Sequence, residues 1–293
     1  MRTEVWTPVA ADASARRYFK GEGAGGPVLR AEYGEDRDGL NRYVFLTRLF
    51  QSRGIRVPAL YEARPEEGVC IVEWIEGEPL SRGRWNPEWE SRLVDLALSV
   101  AAVPPWEGEP DLLALDADRL RFELRFFALH FLEGLLNRPR DPALAAALDG
   151  LAEEVASFPR ALAHRDFHSE NVLASRSGEW VLIDFQDALL APRCYDAASL
   201  ACDAYRHPDP AIGRRIEAAW IERTGHPSEE FRRTELQRCL KALGTFGYQV
   251  TRRRKVRYLL PARRTAARAD HLLRSAPAPL PGLAEALQEA ARI

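Results

Sequence analysis

The sequence predicts an α+β protein with two lobes: a small antiparallel β-rich N-terminal lobe and a larger, mainly α-helical C-terminal lobe. Short β-prone runs separated by turn residues occupy the first 75 residues, whereas from residue 80 onward apolar residues recur at helical spacing. A chain of 293 residues is long enough to bury a sizeable core in such an arrangement. We place the boundary at Gly77–Pro79, so the lobes span residues 1–77 and 78–293.

The N-terminal lobe is predicted to contain two strand pairs and one helix. A glycine-rich turn at residues 21–26 joins the first pair, and a Pro-Glu-Glu-Gly turn joins the second. Apolar residues spaced three and four apart predict a helix between the pairs, which Gly54 ends because glycine tolerates left-handed backbone. The predicted strands are Arg17–Lys20, Val28–Tyr33, Ala59–Arg64 and Val69–Ile75, and the helix covers Leu40–Phe50.

The C-terminal lobe is predicted to be helical apart from one short interruption. Amphipathic periodicity predicts helices at Glu90–Val103, Asp116–Leu136 and Pro142–Phe158. Residues 161–187 then predict a polar loop between two short strands, of which Trp180–Asp184 is the clearest. After Tyr195 the pattern is helical again, with breaks at Pro208–Pro210, at Pro227 and in the proline-rich segment 275–281.

Composition excludes several classes of function. The formal net charge is −2, so no global field attracts the chain to nucleic acid or to an anionic membrane. There is no run of 18 apolar residues and no apolar signal segment at the N-terminus. The four cysteines are far apart in sequence, which favours free thiols in a reducing compartment. We expect a cytoplasmic protein that binds neither nucleic acid nor membrane, and a monomer.

One segment carries the residue types that phosphoryl transfer requires. Residues 164–171 read His-Arg-Asp-Phe-His-Ser-Glu-Asn, and Asp184 follows the apolar run Val181–Ile183. This is the spacing of a kinase catalytic motif, in which Asp166 accepts the proton of the acceptor hydroxyl. Asn171 and Asp184 supply the oxygen ligands that Mg²⁺ prefers. The alternative, a surface loop followed by an ordinary strand, requires four polar residues to fall at these spacings by accident.

Longer stretches around this motif resemble a known superfamily. The runs HRDFHSENVL and VLIDFQDALLAPRCYDAASLACDAY are similar to the aminoglycoside phosphotransferase superfamily, which implies the protein-kinase-like fold. Asp-Phe-Gln in place of Asp-Phe-Gly argues against a protein kinase. Together with DASARRYFK and LQRCLKALGTFGYQ (236–249), these runs resemble the bacterial anomeric kinases of N-acetylmuramic acid and N-acetylglucosamine, enzymes of cell-wall recycling. The resemblance implies a sugar substrate, ATP and Mg²⁺.

The resemblance also implies the nucleotide-binding residues. Asp12–Arg17 would form the turn over the phosphates, with Ser14 and Arg16 among the contacts, and the backbone of Glu73 and Ile75 would bind the adenine edge. Arg30 stands where related kinases place a phosphate-binding lysine. Alternatively Arg30 is an exposed strand cation, and the Leu40–Phe50 helix offers no convincing glutamate partner for it.

Substrate contacts are expected near Asp166, and each candidate has an alternative reading. His168 contacts the sugar or braces the loop, and Asp187 contacts the acceptor or caps a helix. Asp203 and Arg206 contact the sugar or lie on a solvated helix face, and Glu123 is a sugar ligand or a surface glutamate. Asp196 resembles the buried aspartate that braces the catalytic loop in this superfamily.

The basic cluster Arg252–Lys255 lacks interleaved aromatic residues, so a solvated helical face is favoured over nucleic-acid binding. Alternatively, part of it steers an anionic substrate such as N-acetylmuramic acid.

Two competing functions are considered. One is phosphorylation of another small alcohol, such as an aminoglycoside or choline. The other is a nucleotide-binding pseudokinase scaffold, which is expected to lack Asp166, Asn171 or Asp184.

Overall fold

The structure, a computed structural model, describes residues 5–9, 16–104, 113–206, 209–275 and 280–292. The chain divides into two compact units. The first unit comprises Met1–Gly83 and Glu170–Ala188, and the second comprises Arg84–Ser169 and Leu189–Ile293. The predicted α+β class is confirmed, because antiparallel sheets and helices are both present in the described residues.

The first unit contains a five-stranded antiparallel sheet in the order β1-β2-β3-β5-β4, with one helix packed on it. Its core combines Ala31 of β3, Tyr33 immediately after that strand, Leu40 of the helix, and Cys70 and Val72 of β5. Alternation along β3 places Arg30 on the opposite face of the sheet. The strands are β1 (Thr7–Val9), β2 (Arg17–Gly23), β3 (Gly26–Glu32), β4 (Leu60–Arg64) and β5 (Val69–Glu73), and the helix is α1 (Arg37–Ser52).

A second, three-stranded sheet in the first unit has the order β6-β8-β9. It consists of β6 (Gly77–Pro79), β8 (Val172–Ser175) and β9 (Trp180–Leu182). Because β8 pairs with β6, the segment 170–188 packs with the first unit, whereas the predicted division at residue 77 groups it with the C-terminal lobe.

The segment after β9 is held against α1. The Phe185 ring stacks on Tyr43, with centroids 5.1 Å apart, and meets Phe50 edge-on at 5.4 Å. The guanidinium of Arg42 donates a hydrogen bond to the carbonyl of Ala188. Both ends of residues 185–188 are therefore fixed by one helix.

The second unit is mainly helical, and its core joins all but two of its helices in one apolar cluster. Strands β7 (Arg160–Ala163) and β10 (Leu189–Pro192) form an antiparallel pair beside that core. The helices are α2 (Pro87–Ala101), α3 (Ala117–Phe127), α4 (Pro142–Ser157), α5 (Tyr195–Ala201), α6 (Pro210–Thr224), α7 (Ser228–Thr251), α8 (Leu259–Ser275) and α9 (Leu283–Ala290).

Helix α7 runs through the second unit and approaches α3 closely. Two glycines make this possible, because a Cβ on Gly244 would meet the backbone of Phe127 and a Cβ on Gly247 would meet the carbonyl of His130. The predicted helix Asp116–Leu136 begins at Asp116, whose side chain caps α3, but beyond Phe127 it continues as a π-helical turn, Ala128–Glu133. Across the described ranges, no helix is both long and apolar enough to cross a membrane.

Candidate active site

The loop that carries the catalytic motif, residues 164–169 of the second unit, is held at both ends by buried carboxylates. Asp196, on α5, accepts hydrogen bonds from the backbone N–H groups of His164 (2.7 Å) and Arg165 (3.1 Å). Asp203 accepts one from the N–H of Ser169 at 2.8 Å. Buried backbone donors must be satisfied, and here distant side chains satisfy them. The loop-bracing role predicted for Asp196 matches this geometry.

Arg165 has a φ of 80°, a left-handed conformation that costs energy for a side chain of this size. Its guanidinium donates to Glu123 Oε1 at 3.0 Å, while Gln237 donates to Glu123 Oε2 at 2.8 Å. Glu123 is only 7% exposed, so the reading of this residue as a surface glutamate is wrong. Its role as a sugar ligand stays a prediction. Strained backbone of this kind is found more often at functional sites than elsewhere.

Asp166 lies beside two cations of helix α7. Lys241 Nζ donates to Asp166 Oδ1 at 2.8 Å, and Arg238 Nη2 lies 3.9 Å from the same oxygen. Burial alone would raise the pKa of Asp166, but the charges of Lys241 and Arg238 outweigh it and hold the pKa well below the usual range. Asp166 is therefore ionised at neutral pH, which is the protonation state that a general base requires.

His168 and Arg206, both predicted substrate contacts, lie near Tyr205. The His168 ring centroid is 5.0 Å from that of Tyr205, and burial lowers the pKa of His168 in spite of the opposing charges of Asp203 and Asp166. Arg206 is buried, donates to the carbonyl of Ala201 at 2.9 Å and stacks on Trp85. Asp203 is buried as well, so the alternative of a solvated helix face is wrong for both Asp203 and Arg206.

Asn171 and Asp184 lie close to each other in the first unit, where β8 and β9 pair. The carbonyl of Asn171, the residue before β8, accepts a hydrogen bond from the N–H of Ile183 at 3.0 Å. Because Ile183 directly precedes Asp184, this bond brings Asn171 next to Asp184. Asp184 is exposed, has a φ of 63° and accepts a hydrogen bond from Gln186 Nε2 at 2.7 Å. The strand pair thus brings together the two predicted magnesium ligands.

The donor set fits magnesium. Mg²⁺ is usually held by one or two carboxylates with the remaining ligands supplied by water and substrate phosphates, and an Asn oxygen is equally hard. In the described part of the chain, no group of three or more His, Cys, Asp and Glu side chains forms a self-contained metal site. A site built from Asn171 and Asp184 would depend on the nucleotide to complete it.

The other residues that were predicted to bind the nucleotide lie in the first unit. Ser14, one of them, lies outside the described residues. Arg30 pairs with Glu32 on its own strand at 2.8 Å, and no residue of α1 is a glutamate. Arg16 stacks on Tyr33 at 4.5 Å and lies 3.8 Å from Asp36. These three pairings show how the first unit holds Arg16 and Arg30 without a glutamate from α1.

Glu73, at the end of β5, uses its carboxylate within the fold. Arg56 binds both of its oxygens, at 2.8 Å and 2.6 Å, and the N–H of Ala59 donates to it at 3.0 Å. Ile75, two residues further on, is half-buried. Asp187 is exposed in the turn that precedes β10, so the alternative that it caps a helix is wrong. The ligand contacts predicted for these residues stay predictions.

Sequence reasoning did not assign roles to Lys241 and Arg238. The signal was present in LQRCLKALGTFGYQ, where Arg238, Lys241, Gly244 and Gly247 recur at intervals of three. Residues three apart are neighbours on a helix, so Lys241 lies between Arg238 and Gly244, and a cation beside so tight a packing contact needs a buried partner. The partner, Asp166, lies 75 residues away in sequence.

The chain belongs to the phosphotransferase enzyme family (APH), whose sequence profile matches residues 5–234. It is 28% identical over 268 residues to an N-acetylmuramate/N-acetylglucosamine kinase of Pseudomonas aeruginosa, covering 86% of this chain and 79% of the relative.

Solved structures share the fold. An ADP-bound aminoglycoside phosphotransferase, APH(2'')-Ib, has a TM-score of 0.63 and 14% identity over 93% of this chain and 95% of its own. The choline kinase LicA of Streptococcus pneumoniae has a TM-score of 0.65 and 13% identity over 92% and 95% of the two chains. The predicted kinase-like α+β fold is thus confirmed, and the protein is an ATP-dependent phosphotransferase that acts on an alcohol group.

Proposed function

We propose that this enzyme transfers the γ-phosphoryl group of ATP to the anomeric hydroxyl of N-acetylmuramic acid, N-acetylglucosamine, or both. The observation that carries this proposal is similarity across 86% of the chain to a kinase named for those two sugars. A pseudokinase scaffold is expected to lack Asp166, Asn171 or Asp184, and the presence of all three argues against that function. By this proposal the enzyme acts in cell-wall recycling, in the cytoplasm and as a monomer.

Asp166 is proposed as the catalytic base. Its carboxylate orients the acceptor hydroxyl and accepts the proton as the oxygen–phosphorus bond forms and the bond from the γ-phosphorus to the bridging oxygen of ADP breaks. The braces at Asp196 and Asp203 support this role because they fix the loop on which Asp166 is carried. A base held in position avoids much of the entropic cost of aligning the reactants.

Asn171 and Asp184 are proposed to hold magnesium. When bound, Mg²⁺ would neutralise negative charge on the phosphate groups of ATP. The nucleotide contacts are proposed to come from Ser14, Arg16, Arg30, Glu73 and Ile75 of an N-terminal, nucleotide-binding lobe, residues 1–77. The sugar contacts would come from a catalytic lobe, residues 78–293, through His168, Asp187, Glu123, Asp203 and Arg206.

An acceptor screen tests the proposal. ADP release is measured with ATP, Mg²⁺ and a panel of N-acetylglucosamine, N-acetylmuramate, choline and one aminoglycoside, with the Asp166→Asn variant as the blank for contaminating kinases. We expect turnover with the two N-acetylated sugars that the blank does not show. Turnover confined to choline or the aminoglycoside would contradict the sugar assignment.

A further inference from the structure

Two cations of helix α7 lie at the side of the proposed catalytic base, and the family profile does not extend to either of them. Lys241 Nζ is 2.8 Å and Arg238 Nη2 is 3.9 Å from Asp166 Oδ1, whereas the match to the family ends at residue 234. Their three-residue spacing puts both side chains near one face of the helix. The environment of Asp166 is therefore set in part by two cations of one helix.

Both cations are fixed. Arg238 is 6% exposed, donates to Ser199 Oγ through Nε (3.1 Å) and Nη2 (2.8 Å), and lies 5.2 Å from the ring centroid of Tyr195. Lys241 has a side-chain exposure of only 16%. The close approach of α7 to α3 at Gly244 keeps this part of the helix in place. The two charges cannot move far when a ligand binds.

The other carboxylates around the loop are already engaged. Glu123 accepts hydrogen bonds from Arg165 and Gln237, and its two oxygens face those donors. Asp196 accepts from backbone N–H groups of the loop, and so does Asp203. Each of these acids already accepts two hydrogen bonds within the fold, which leaves fewer lone pairs for the ammonium group of an acceptor.

We propose that Lys241 and Arg238 determine the charge of the acceptor: they favour neutral and anionic alcohols and reject cationic ones. This inference rests on the proposed function, in which the acceptor hydroxyl contacts Asp166. When the hydroxyl of an acceptor reaches Asp166, any charged group on the same small molecule lies within several ångströms of two fixed cations. Like charges at such distances repel strongly where water is partly excluded, and a carboxylate is attracted for the same reason.

The experiment measures kcat/KM for three sugars that differ in charge near one ring: N-acetylmuramate (anionic), N-acetylglucosamine (neutral) and glucosamine (largely cationic near neutral pH). Four proteins are compared: wild type, Lys241→Gln, Lys241→Arg and Arg214→Gln. Arg214 is exposed on α6, so its variant removes one positive charge away from the site. Thermal unfolding of each protein checks that it is folded.

We expect Lys241→Gln to raise the ratio of kcat/KM for glucosamine over N-acetylglucosamine about tenfold, and to lower the ratio for N-acetylmuramate over N-acetylglucosamine. Lys241→Arg, which keeps the charge, and Arg214→Gln should retain the wild-type ratios. A comparison of ratios separates this effect from any general loss of rate, which would lower kcat/KM for all three sugars together.

Unchanged ratios in a folded Lys241→Gln variant would overturn the inference while leaving the proposed function intact, since wild-type turnover of N-acetylglucosamine would stand. A loss of selectivity in Lys241→Arg equal to that in Lys241→Gln would also overturn it, because the role would then be steric. A wild-type enzyme that phosphorylated choline and not N-acetylglucosamine would overturn both.

Discussion

Asp203 accepts a hydrogen bond from the backbone N–H of Ser169, 34 residues earlier in the chain, at 2.8 Å. With its other oxygen it accepts from the N–H of Tyr205, also at 2.8 Å. One buried carboxylate therefore joins the end of the catalytic loop to the segment that follows α5. Asp196 does the same at the start of the loop, so Asp166 is carried between two fixed points.

Replacing Asp203 with Asn should destabilise the protein and slow catalysis. The amide has one acceptor oxygen, so one of the two N–H groups loses its partner, at a cost of about 1–3 kcal/mol in the free energy of unfolding. Chemical denaturation and kcat measure the two effects. Asp118→Asn, at an exposed position of α3, should change neither. Wild-type stability and kcat in Asp203→Asn would contradict the bracing role.

Replacing Asp166 with Asn should reduce kcat about 10²–10⁴-fold, the usual contribution of a general base, and leave nucleotide affinity nearly unchanged. The amide is close in size but cannot accept the proton. Steady-state rates and equilibrium binding of a non-hydrolysable ATP analogue separate the two properties. Near-normal turnover in Asp166→Asn would exclude this residue as the base.

The acid limb of the pH–rate profile should depend on Lys241. Burial raises the pKa of Asp166, but Lys241 and Arg238 lower it further than burial raises it, so the ionised base persists well below neutral pH. In Lys241→Gln one of the opposing charges is gone, the pKa rises and activity should fall at a higher pH than in the wild type. The profile of kcat/KM with N-acetylglucosamine reports the shift. An acid limb at the same pH in both proteins would contradict the coupling.

Asp184→Asn should raise the Mg²⁺ concentration needed for half-maximal activity at least about tenfold, because a neutral oxygen binds a hard divalent cation more weakly than a carboxylate does. Titration of activity with Mg²⁺ at saturating ATP gives this value. Glu179→Gln removes an exposed acid elsewhere in the first unit and serves as the control. Equal Mg²⁺ requirements in the two variants would place the metal elsewhere.

Gly244→Ala should destabilise the second unit by about 1–3 kcal/mol, because the added Cβ would meet the backbone of Phe127 and push α7 from α3. Gly150→Ala is the matched control, since a Cβ there meets nothing within 4 Å and alanine favours a helix by about 0.5–1 kcal/mol. Denaturant unfolding compares the two. Equal stabilisation by both substitutions would show that the close approach is not required.

The motif proposed as catalytic could be located in the sequence because phosphoryl transfer fixes residue types at short spacings. His164 to Asn171 occupy one loop, and Asp184 follows one strand, so no knowledge of distant contacts was needed. Most helices could be predicted for a related reason: their apolar faces repeat every three or four residues, and proline or glycine marks their ends.

Features that depend on distant contacts could not be predicted. The pairing of Lys241 with Asp166 and of Gln237 with Glu123 joins residues 75 and 114 positions apart. The π-helical turn at residues 128–133 has the same apolar periodicity as the helix before it, so the sequence predicted one continuous helix. The run Arg252–Lys255 was read as a helical face, whereas α7 ends at Thr251 and the run lies in the connection to α8.

The position of the phosphate on the product shows whether the enzyme is an anomeric sugar kinase. N-acetylglucosamine labelled with ¹³C at C1 is incubated with the enzyme, ATP and Mg²⁺, and the product is examined by ¹³C and ³¹P NMR. We expect a phosphorus coupling on the C1 resonance, absent when Asp166→Asn replaces the wild type. A phosphate on C6, or no phosphorylated product from either N-acetylglucosamine or N-acetylmuramate, would contradict the proposed function.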